Sequence, residues 1–400
     1  MKYAVILPDG AADLPLEQLD WRTPLEAARI PNMDWVASRG RLGLSRTIPA
    51  GFTPATDVGT LSLFGYDPHK FYSGRAPIEA AARRLSAAAD ELIFRCNFVT
   101  IADQRMRDFA AGHITQAEAE RLIADLNGLV EKDEPALRGC KFHAGVSYRN
   151  LLFVSDADDI VVECAPPHDI PNELVADRLP RGAGQERIRG VMRRAADMLG
   201  DHELNRVRRK QERPQISDIW LWGQGKPVAL EPFSKRFGLS GAVITGVDII
   251  RGLALSMGME LIEVPGATGY LDTNYAGKGA AAAAALDEFD LVSVHVEAPD
   301  EAGHLGDAGE KIKALERTDE QVLGPLLEAL RRHDQWRILI APDHPTPCAT
   351  TAHDASPPPF CFAGKGIDAA GRRTFSEKEA AAAGWMIDPG HELMTHFILD

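Results

Sequence analysis

Very little in this chain points to an oxidising exterior or to a membrane. Its 400 residues include only five cysteines, Cys96, Cys140, Cys164, Cys348 and Cys361, scattered and without a CxxC pair. That excludes a disulfide framework or a cysteine zinc site and reads as reduced thiols in a cytoplasmic protein. No apolar run approaches the roughly 20 residues of a membrane-spanning helix. Met1-Lys2-Tyr3 leads straight into a strand, without the layout of a signal peptide. An excess of positive charge is missing too: 44 Lys and Arg face 58 Asp and Glu, for a net charge of -14. This excludes a general nucleic-acid binder, which needs a basic footprint. A small anionic substrate remains compatible, because metal ions and a few arginines can reverse the field within a cleft. Internal repeats and low-complexity linkers are absent as well.

What is present is the make-up of a globular enzyme, 45% hydrophobic and 26% charged, long enough for about two domains. Three short apolar runs are each followed by Asp or His. Asp9 follows Tyr3 to Pro8; Asp300 and His304 follow Leu291 to Val296; Asp343 and His344, then His353, follow Ile338 to Pro342. Such runs read as buried strands of a parallel sheet, and ligands collect outside the carboxyl ends of such strands. Alternating strands and helices after residue 176 predict an α/β fold with a doubly wound, mostly parallel sheet. Strands are expected near 216–221, 241–244 and 260–264, and helices over 186–199, 248–257 and 279–286. A helix over 308–332 should bury Ile312, Leu315, Val322, Leu326 and Leu330 and kink at Gly324-Pro325. Residues 81–175 have a different texture, with strands at 92–99 and 150–154 and a helix from Thr115 whose Glu118 completes a capping box. The expected division is a discontinuous core of 1–80 and 176–400 with a smaller inserted α+β domain over 81–175.

Three carboxylates and three imidazoles at one sheet edge make a site for two divalent cations. The mixed oxygen and nitrogen set suits manganese or zinc, with magnesium and cobalt as further candidates. A hydroxyl beside such ions becomes a nucleophile near neutral pH. Thr56 is the candidate, at the end of the Gly- and Pro-rich loop 49–57, with Thr53 as fallback. A helix starting there, capped by Thr56 or Asp57, would also favour an arriving phosphate. Together these features describe in-line phosphoryl transfer. Taken singly, each residue has a plainer reading. Asp9 could close a turn, Asp300 and His304 could be a solvated helix pair, and Thr56 could be an N-cap. Arg75, Arg95 and Arg149 could be surface ion-pair partners, and Lys278 could be solvated ahead of an alanine-rich helix. His295, inside a strand, reads as a packed group or one that supports a ligand. Trp220 and Trp222 read as packing.

Several stretches carry a resemblance. They are Leu7-Pro8-Asp9-Gly10, Pro54-Ala55-Thr56-Asp57 running into Leu63-Phe64-Gly65-Tyr66-Asp67-Pro68, Gly74-Arg75-Ala76-Pro77 and Phe94-Arg95-Cys96-Asn97. Further along come Pro167-His168-Asp169, Trp222-Gly223-Gln224-Gly225, Asp272 to Lys278, His295 to His304, and Asp343-His344. In this order, over nearly the whole chain, they resemble the cofactor-independent phosphoglycerate mutases of archaeal type, in the alkaline phosphatase superfamily. The resemblance implies an alkaline-phosphatase-like core and an inserted lid that keeps water from the reaction. It implies one metal on Asp300, His304 and His353, and another on Asp9, Asp343, His344 and the nucleophile oxygen. Thr56, where the family usually carries serine in a Pro-Gly-Ser-Asp sequence, would be that nucleophile and the second metal's fourth ligand. Arg75 and Lys278 would act in catalysis, and Asp57, Arg95, Arg149 and His168 would bind substrate. The implied activity interconverts 3- and 2-phosphoglycerate through a phosphothreonine, without 2,3-bisphosphoglycerate as cofactor. The implied partner is a small phosphorylated hydroxy acid, with no nucleic acid and no membrane; homo-oligomers stay open. The alternative is a related phosphotransferase or phosphomonoesterase acting on another small hydroxyl compound, such as a homoserine kinase-like enzyme. A non-catalytic protein whose ions only hold the fold is the third reading.

Overall fold

The run Tyr3-Ala4-Val5-Ile6-Leu7 has almost nothing to show to water, so a strand made from it must be covered on both faces. In the computed structural model, which describes residues 1–371 and 374–400, this run lies in the strand Lys2–Pro8 and is buried. Leu291–Val296 and Trp336–Ile340 flank it, both parallel to it. The eight-stranded sheet runs in the order Glu260–Leu261, Gly241–Ile244, Leu291–Val296, Lys2–Pro8, Trp336–Ile340, Pro359–Gly364, Arg41–Ser45, Met386–Ile387. Among the described residues only Pro359–Gly364 runs against the others. This is the mostly parallel α/β sheet that the sequence pattern predicts.

Pairing register sets the level at which the chemistry emerges. Pro8 lies opposite Val296, and the Asp9 N–H donates to the Val296 carbonyl at 3.0 Å. On the other side Ile6 lies opposite Ile340, and the Ala341 N–H donates to the Ile6 carbonyl at 3.0 Å. Asp9, Glu297 and Asp343 therefore leave three neighbouring strands at their carboxyl ends.

The helix expected over 308–332 begins as Ala308–Arg317 and ends as Gly324–Leu330, with a π-helical turn, Thr318–Leu323, between them. The break thus falls in the turn before the expected kink at Gly324-Pro325. Proline lacks an N–H and its ring crowds the carbonyl four residues earlier, and a wider turn relieves both. Leu315, Val322, Leu326 and Leu330 are fully buried as expected, while Ile312 is half-buried. Each buried leucine or valine is worth roughly 1.5–3 kcal/mol of apolar transfer.

The chain divides into two compact units, Met1–Tyr72 with Ala229–Asp400, and Ser73–Val228. The second is wider than the 81–175 expected. The strand Asp218–Gly225 pairs with Leu92–Ala102, and the helix Arg75–Ala82 buries Ala76 and Ala80 against Ile93, Leu151 and Phe153. Both are long-range packings that local composition does not signal. Within this unit an antiparallel sheet built on Leu92–Ala102 and Arg149–Val154 carries the helix Gln116–Glu131, with the Thr115/Glu118 capping box present. No helix among the described residues is long and apolar enough to cross a membrane.

The π turn also supplies a cap. The helix Pro31–Arg39 has no side-chain cap from its own N-cap residue. Asp319 takes that part from a distance: Oδ1 accepts from the Met33 N–H at 2.7 Å, and Oδ2 from the Asn32 N–H at 3.1 Å. Burial pushes the Asp319 carboxyl up to about 6, against the lowering effect of these hydrogen bonds. An unfolded aspartate titrates near 4, at about its ordinary value. Between those values the folded state holds the extra proton, so this contribution to stability is lost as pH rises through the window. The unfolding free energy of the wild type relative to Asp319→Asn, measured in urea from pH 4 to 7, should fall by up to about 1.4 kcal/mol per pH unit. A difference that is flat with pH would refute this titration.

Candidate active site

The helix Ala298–His304 starts directly beyond the Leu291–Val296 strand, and its i,i+4 spacing puts Asp300 and His304 on one side. His304 Nε2 lies 3.2 Å from Asp300 Oδ2, and His353 Nε2 lies 3.5 Å from Asp300 Oδ1. The two imidazoles meet Nε2 to Nε2 at 2.9 Å. Their other nitrogens face backbone carbonyls, His304 Nδ1 that of Thr351 at 2.9 Å and His353 Nδ1 that of Pro54 at 3.2 Å. Carbonyls only accept, so each Nδ1 donates its proton outward, and each Nε2 is the atom turned toward Asp300. The Asp300 carboxylate, through its hydrogen bond, holds His304 up to about 9.

A second convergence adjoins it. His344 Nε2 lies 3.3 Å from Asp343 Oδ2, 3.6 Å from Asp9 Oδ1 and 3.3 Å from the Thr56 hydroxyl. All three ligand candidates are buried, and Asp9 Oδ1 and Asp343 Oδ2 have no hydrogen-bond partner among the described residues. Asp9, Asp300 and His344 also form a group with ligand atoms within 4.8 Å of one another, so Asp300 belongs to both convergences. The fit to divalent cations rests on those orphaned oxygens and on crowding. Burial, then Asp343, Glu297 and Asp300, push the Asp9 carboxyl well above its usual range. Negative charge packed this closely calls for a positive counter-charge.

Thr56 opens the helix Thr56–Leu63, but neither it nor Asp57 is the N-cap. That place falls to Ala55, whose side chain cannot accept a hydrogen bond. The Thr56 hydroxyl is therefore left for His344. Asp57 uses Oδ1 on the Val58 N–H at 2.9 Å and Oδ2 on the Tyr72 hydroxyl at 2.8 Å, which fixes the loop. Backbone approach here demands glycine. A Cβ on Gly59 would lie 2.5 Å from the Asp343 carbonyl, and one on Gly10 (φ +60°) 2.5 Å from Asp300 Oδ1.

Lys278 is not ahead of its helix but inside it. Asn274 caps the helix Tyr275–Ala285 by accepting from the Gly277 N–H, which starts it earlier than the alanine run suggests. Lys278 is fully buried and donates to the His295 carbonyl at 3.1 Å. Burial lowers its ammonium to about 8, with Glu297 opposing. His295 packs against the ligand candidate Asp9. Its Nε2 lies 2.8 Å from Asp9 Oδ2 and its Nδ1 3.2 Å from the Thr245 hydroxyl. Burial holds its pKa down to about 3, so the ring is neutral, with one proton, on the nitrogen that faces the carboxylate. Sequence reasoning missed Glu297, which groups with Asp9 and His295; its position one residue past the strand was the available signal.

Arg75, Arg95, Arg149 and His168 belong to the other unit, Ser73–Val228. Arg95 and Asn97 share a sheet face, and register puts Arg149 opposite Asn97 and Trp222 opposite Arg95. Arg95 lies over the Trp222 ring at 4.0 Å, and Trp222 packs edge-on to His168 at 5.1 Å. Glu79 serves two arginines, with Oε1 3.3 Å from Arg75 Nε and Oε2 3.1 Å from Arg95 Nε. Burial pulls Arg95 down to about 10; Glu79 opposes this and the charges of Arg75 and Arg149 add to it. The three arginines are thus one cluster of positive charge, with His168, whose pKa burial lowers, beside them against Trp222. Trp222 packs in the core of this unit, as expected, and its ring is also the platform for Arg95.

The chain matches the family model for 2,3-bisphosphoglycerate-independent phosphoglycerate mutase over residues 37–205. It is 46% identical over 395 residues to the enzyme of that name from Methanothrix thermoacetophila, covering 98% of both chains. It is 48% identical over 398 residues to 2,3-bisphosphoglycerate-independent phosphoglycerate mutase 2 from Methanothermobacter thermautotrophicus, covering 98% of this chain and 96% of that one. A solved structure of a Pyrococcus horikoshii protein, 28% identical, superposes with a TM-score of 0.80 over 99% of this chain and 96% of that one. The cofactor-independent phosphoglycerate mutase from Thermoplasma acidophilum, 26% identical, does so with a TM-score of 0.66 over 99% of each. With such identity over nearly its whole length, the chain belongs to the 2,3-bisphosphoglycerate-independent phosphoglycerate mutase family.

Proposed function

We propose that this protein interconverts 3-phosphoglycerate and 2-phosphoglycerate through a phosphothreonine at Thr56, beside two divalent cations. The observation that carries the reading is the Thr56 hydroxyl. It is unused as a cap and stands 3.3 Å from His344 Nε2, among buried carboxylate oxygens without partners. Asp300, His304 and His353 would hold one cation, and Asp9, Asp343 and His344 the other. The mixed ligand set favours manganese or zinc. Bound there, the ions would lower the pKa of a nearby hydroxyl and neutralise phosphoryl charge.

The residues of the chain do the rest. Thr56 Oγ1 attacks the phosphorus in line and loses its proton, while the 3-oxygen of glycerate leaves and gains one. The positive end of the Thr56–Leu63 helix dipole, which starts at the nucleophile, would favour an arriving phosphoryl group. Glycerate then turns, and its 2-hydroxyl attacks the phosphothreonine, losing a proton as Thr56 regains one. His295, braced by Thr245, keeps Asp9 oriented. Arg75, Arg95, Arg149 and His168 are the substrate-binding set in this reading, because forked guanidinium donors match carboxylate and phosphate. Lys278 would supply a buried positive charge beside Glu297. The five free thiols favour the cytoplasm as the compartment.

Mass spectrometry after incubation with 3-phosphoglycerate should find phosphate on Thr56. Thr56→Ala should lower turnover by about a thousandfold or more while metal content is kept, and Thr56→Ser should stay active. In an enolase-coupled assay run beside a phosphate assay, free phosphate appearing faster than 2-phosphoglycerate would overturn the mutase reading.

Arg149 is exposed, so its removal should leave stability intact. Arg149→Ala should reduce kcat/KM by about tenfold, the loss of roughly 1.4 kcal/mol of charge-assisted binding. Unchanged kcat/KM would remove Arg149 from the substrate set. Stripping the ions with a chelator should abolish turnover, and adding back Mn²⁺ or Zn²⁺ should restore it.

A further inference from the structure

Lys311 lies in the helix Ala308–Arg317 and is fully buried, which is rare for lysine. An ammonium has three protons to place, and all three are used. Lys311 Nζ donates to Asp13 Oδ2 at 2.8 Å, to the Ala12 carbonyl at 3.2 Å and to the Thr346 carbonyl at 2.8 Å. The Asp13 carboxylate is held in turn by the Cys348 N–H at 3.1 Å and the Leu14 N–H at 2.8 Å. The Asp13 N–H donates to Glu377 Oε1 at 3.0 Å.

The segments joined in this way are the ones that carry the ligand candidates. Residues 9–13 begin with Asp9, and residues 343–348 begin with Asp343 and His344. The helix bearing Lys311 follows directly on Ala298–His304, which bears Asp300 and His304. Thr346 extends the link. Its carbonyl is fixed by Lys311, while its hydroxyl donates to Asp300 Oδ1 and lies 3.3 Å from His344 Nδ1. Having given its proton to Asp300, that hydroxyl can only accept from His344. The His344 proton is thereby fixed on Nδ1 and the Nε2 lone pair is left facing Asp9, Asp343 and Thr56.

We propose that Lys311, paired with Asp13, is a positioning residue for the cation centre: through Ala12 and Thr346 it sets the spacing of the three ligand-bearing segments, and so the metal affinity, without touching an ion. The inference rests on the two-cation reading above. A buried ion pair gives little net stability over an apolar pair of similar shape, so a purely structural role would make it replaceable. Orienting groups behind metal ligands typically govern affinity by 10- to 100-fold.

The test uses the full chain, stripped of metal, with Mn²⁺ alone as the probe in calorimetric titration and Tm followed by circular dichroism. Lys311→Met should lower Tm and weaken Mn²⁺ binding by about tenfold or more. The double variant Lys311→Met/Asp13→Asn, which removes both charges, should recover Tm but not Mn²⁺ affinity. A merely structural pair would recover both. Wild-type Mn²⁺ affinity in the double variant overturns the inference. If that variant does not fold, wild-type affinity in Asp13→Asn alone overturns it, since that change keeps the shape and removes only the charge facing Lys311. Wild-type protein that takes up no Mn²⁺ would instead overturn the two-cation reading, and this inference with it.

Discussion

Parallel pairing of Lys2–Pro8 between Leu291–Val296 and Trp336–Ile340 is the constraint on which the cluster of candidate metal ligands depends. Three strands buried on both faces stop at nearly one level, and whatever follows them must share the space beyond. Here Asp9, Glu297 and Asp343 follow them, and Asp300 joins from the next helix. Crowded and buried this way, the carboxylates repel one another, and Asp9 is pushed well above its usual range. The fold accepts that cost because apolar burial along the strands fixes the register far more firmly than the acids can disturb it. Imidazoles from His295, His304, His344 and His353 then divide the acidic cluster into places where a cation can sit. The Thr56 helix is seated against the same loop by the close approach of Gly59 to Asp343.

The second unit shows the opposite polarity. Its arginines are drawn together by a sheet face, by Glu79 and by the Trp222 ring, so guanidinium groups that would repel in water are held as one set. In the proposed reading such a set would meet the anionic groups of a small phosphorylated acid. The net charge of -14 is thus no obstacle to the anionic substrate proposed above, since positive groups are gathered into one local cluster.

Most ligand candidates were legible because they are local in sequence, an Asp or His directly after an apolar run or an i,i+4 pair; His353 was read only from a short loop returning after Asp343-His344. The Thr115 cap and the buried stripe of the long helix were readable for the same reason. What escaped was non-local or involved competing signals. Lys311 meets Asp13 and Thr346 only after the sheet has assembled, and nothing near Lys311 in sequence marks it. Thr346 gave no motif, and Trp222, which is core as expected, gave no sign that its ring also carries Arg95 from another strand. The reach of the inserted unit to Ser73 and Val228 depends on one strand, Asp218–Gly225, joining a sheet begun more than a hundred residues earlier. Thr56 and Asp57 were plausible caps by residue type, but Ala55 has the extended backbone of the cap position. Side-chain chemistry alone does not decide between adjacent residues in that contest.

The π turn at Thr318–Leu323 has a consequence for how this chain tolerates length changes. A π turn accommodates about one residue more than an α turn does, and each residue rotates a helix by about 100°. Shortening the segment by a single position would let it rewind as regular helix, and the face downstream would swing by that angle. Leu326 and Leu330 would leave the sheet for water. The phase of the second half of the helix is therefore held by one supernumerary residue, and insertions or deletions there should be far less tolerated than at the exposed turn that follows.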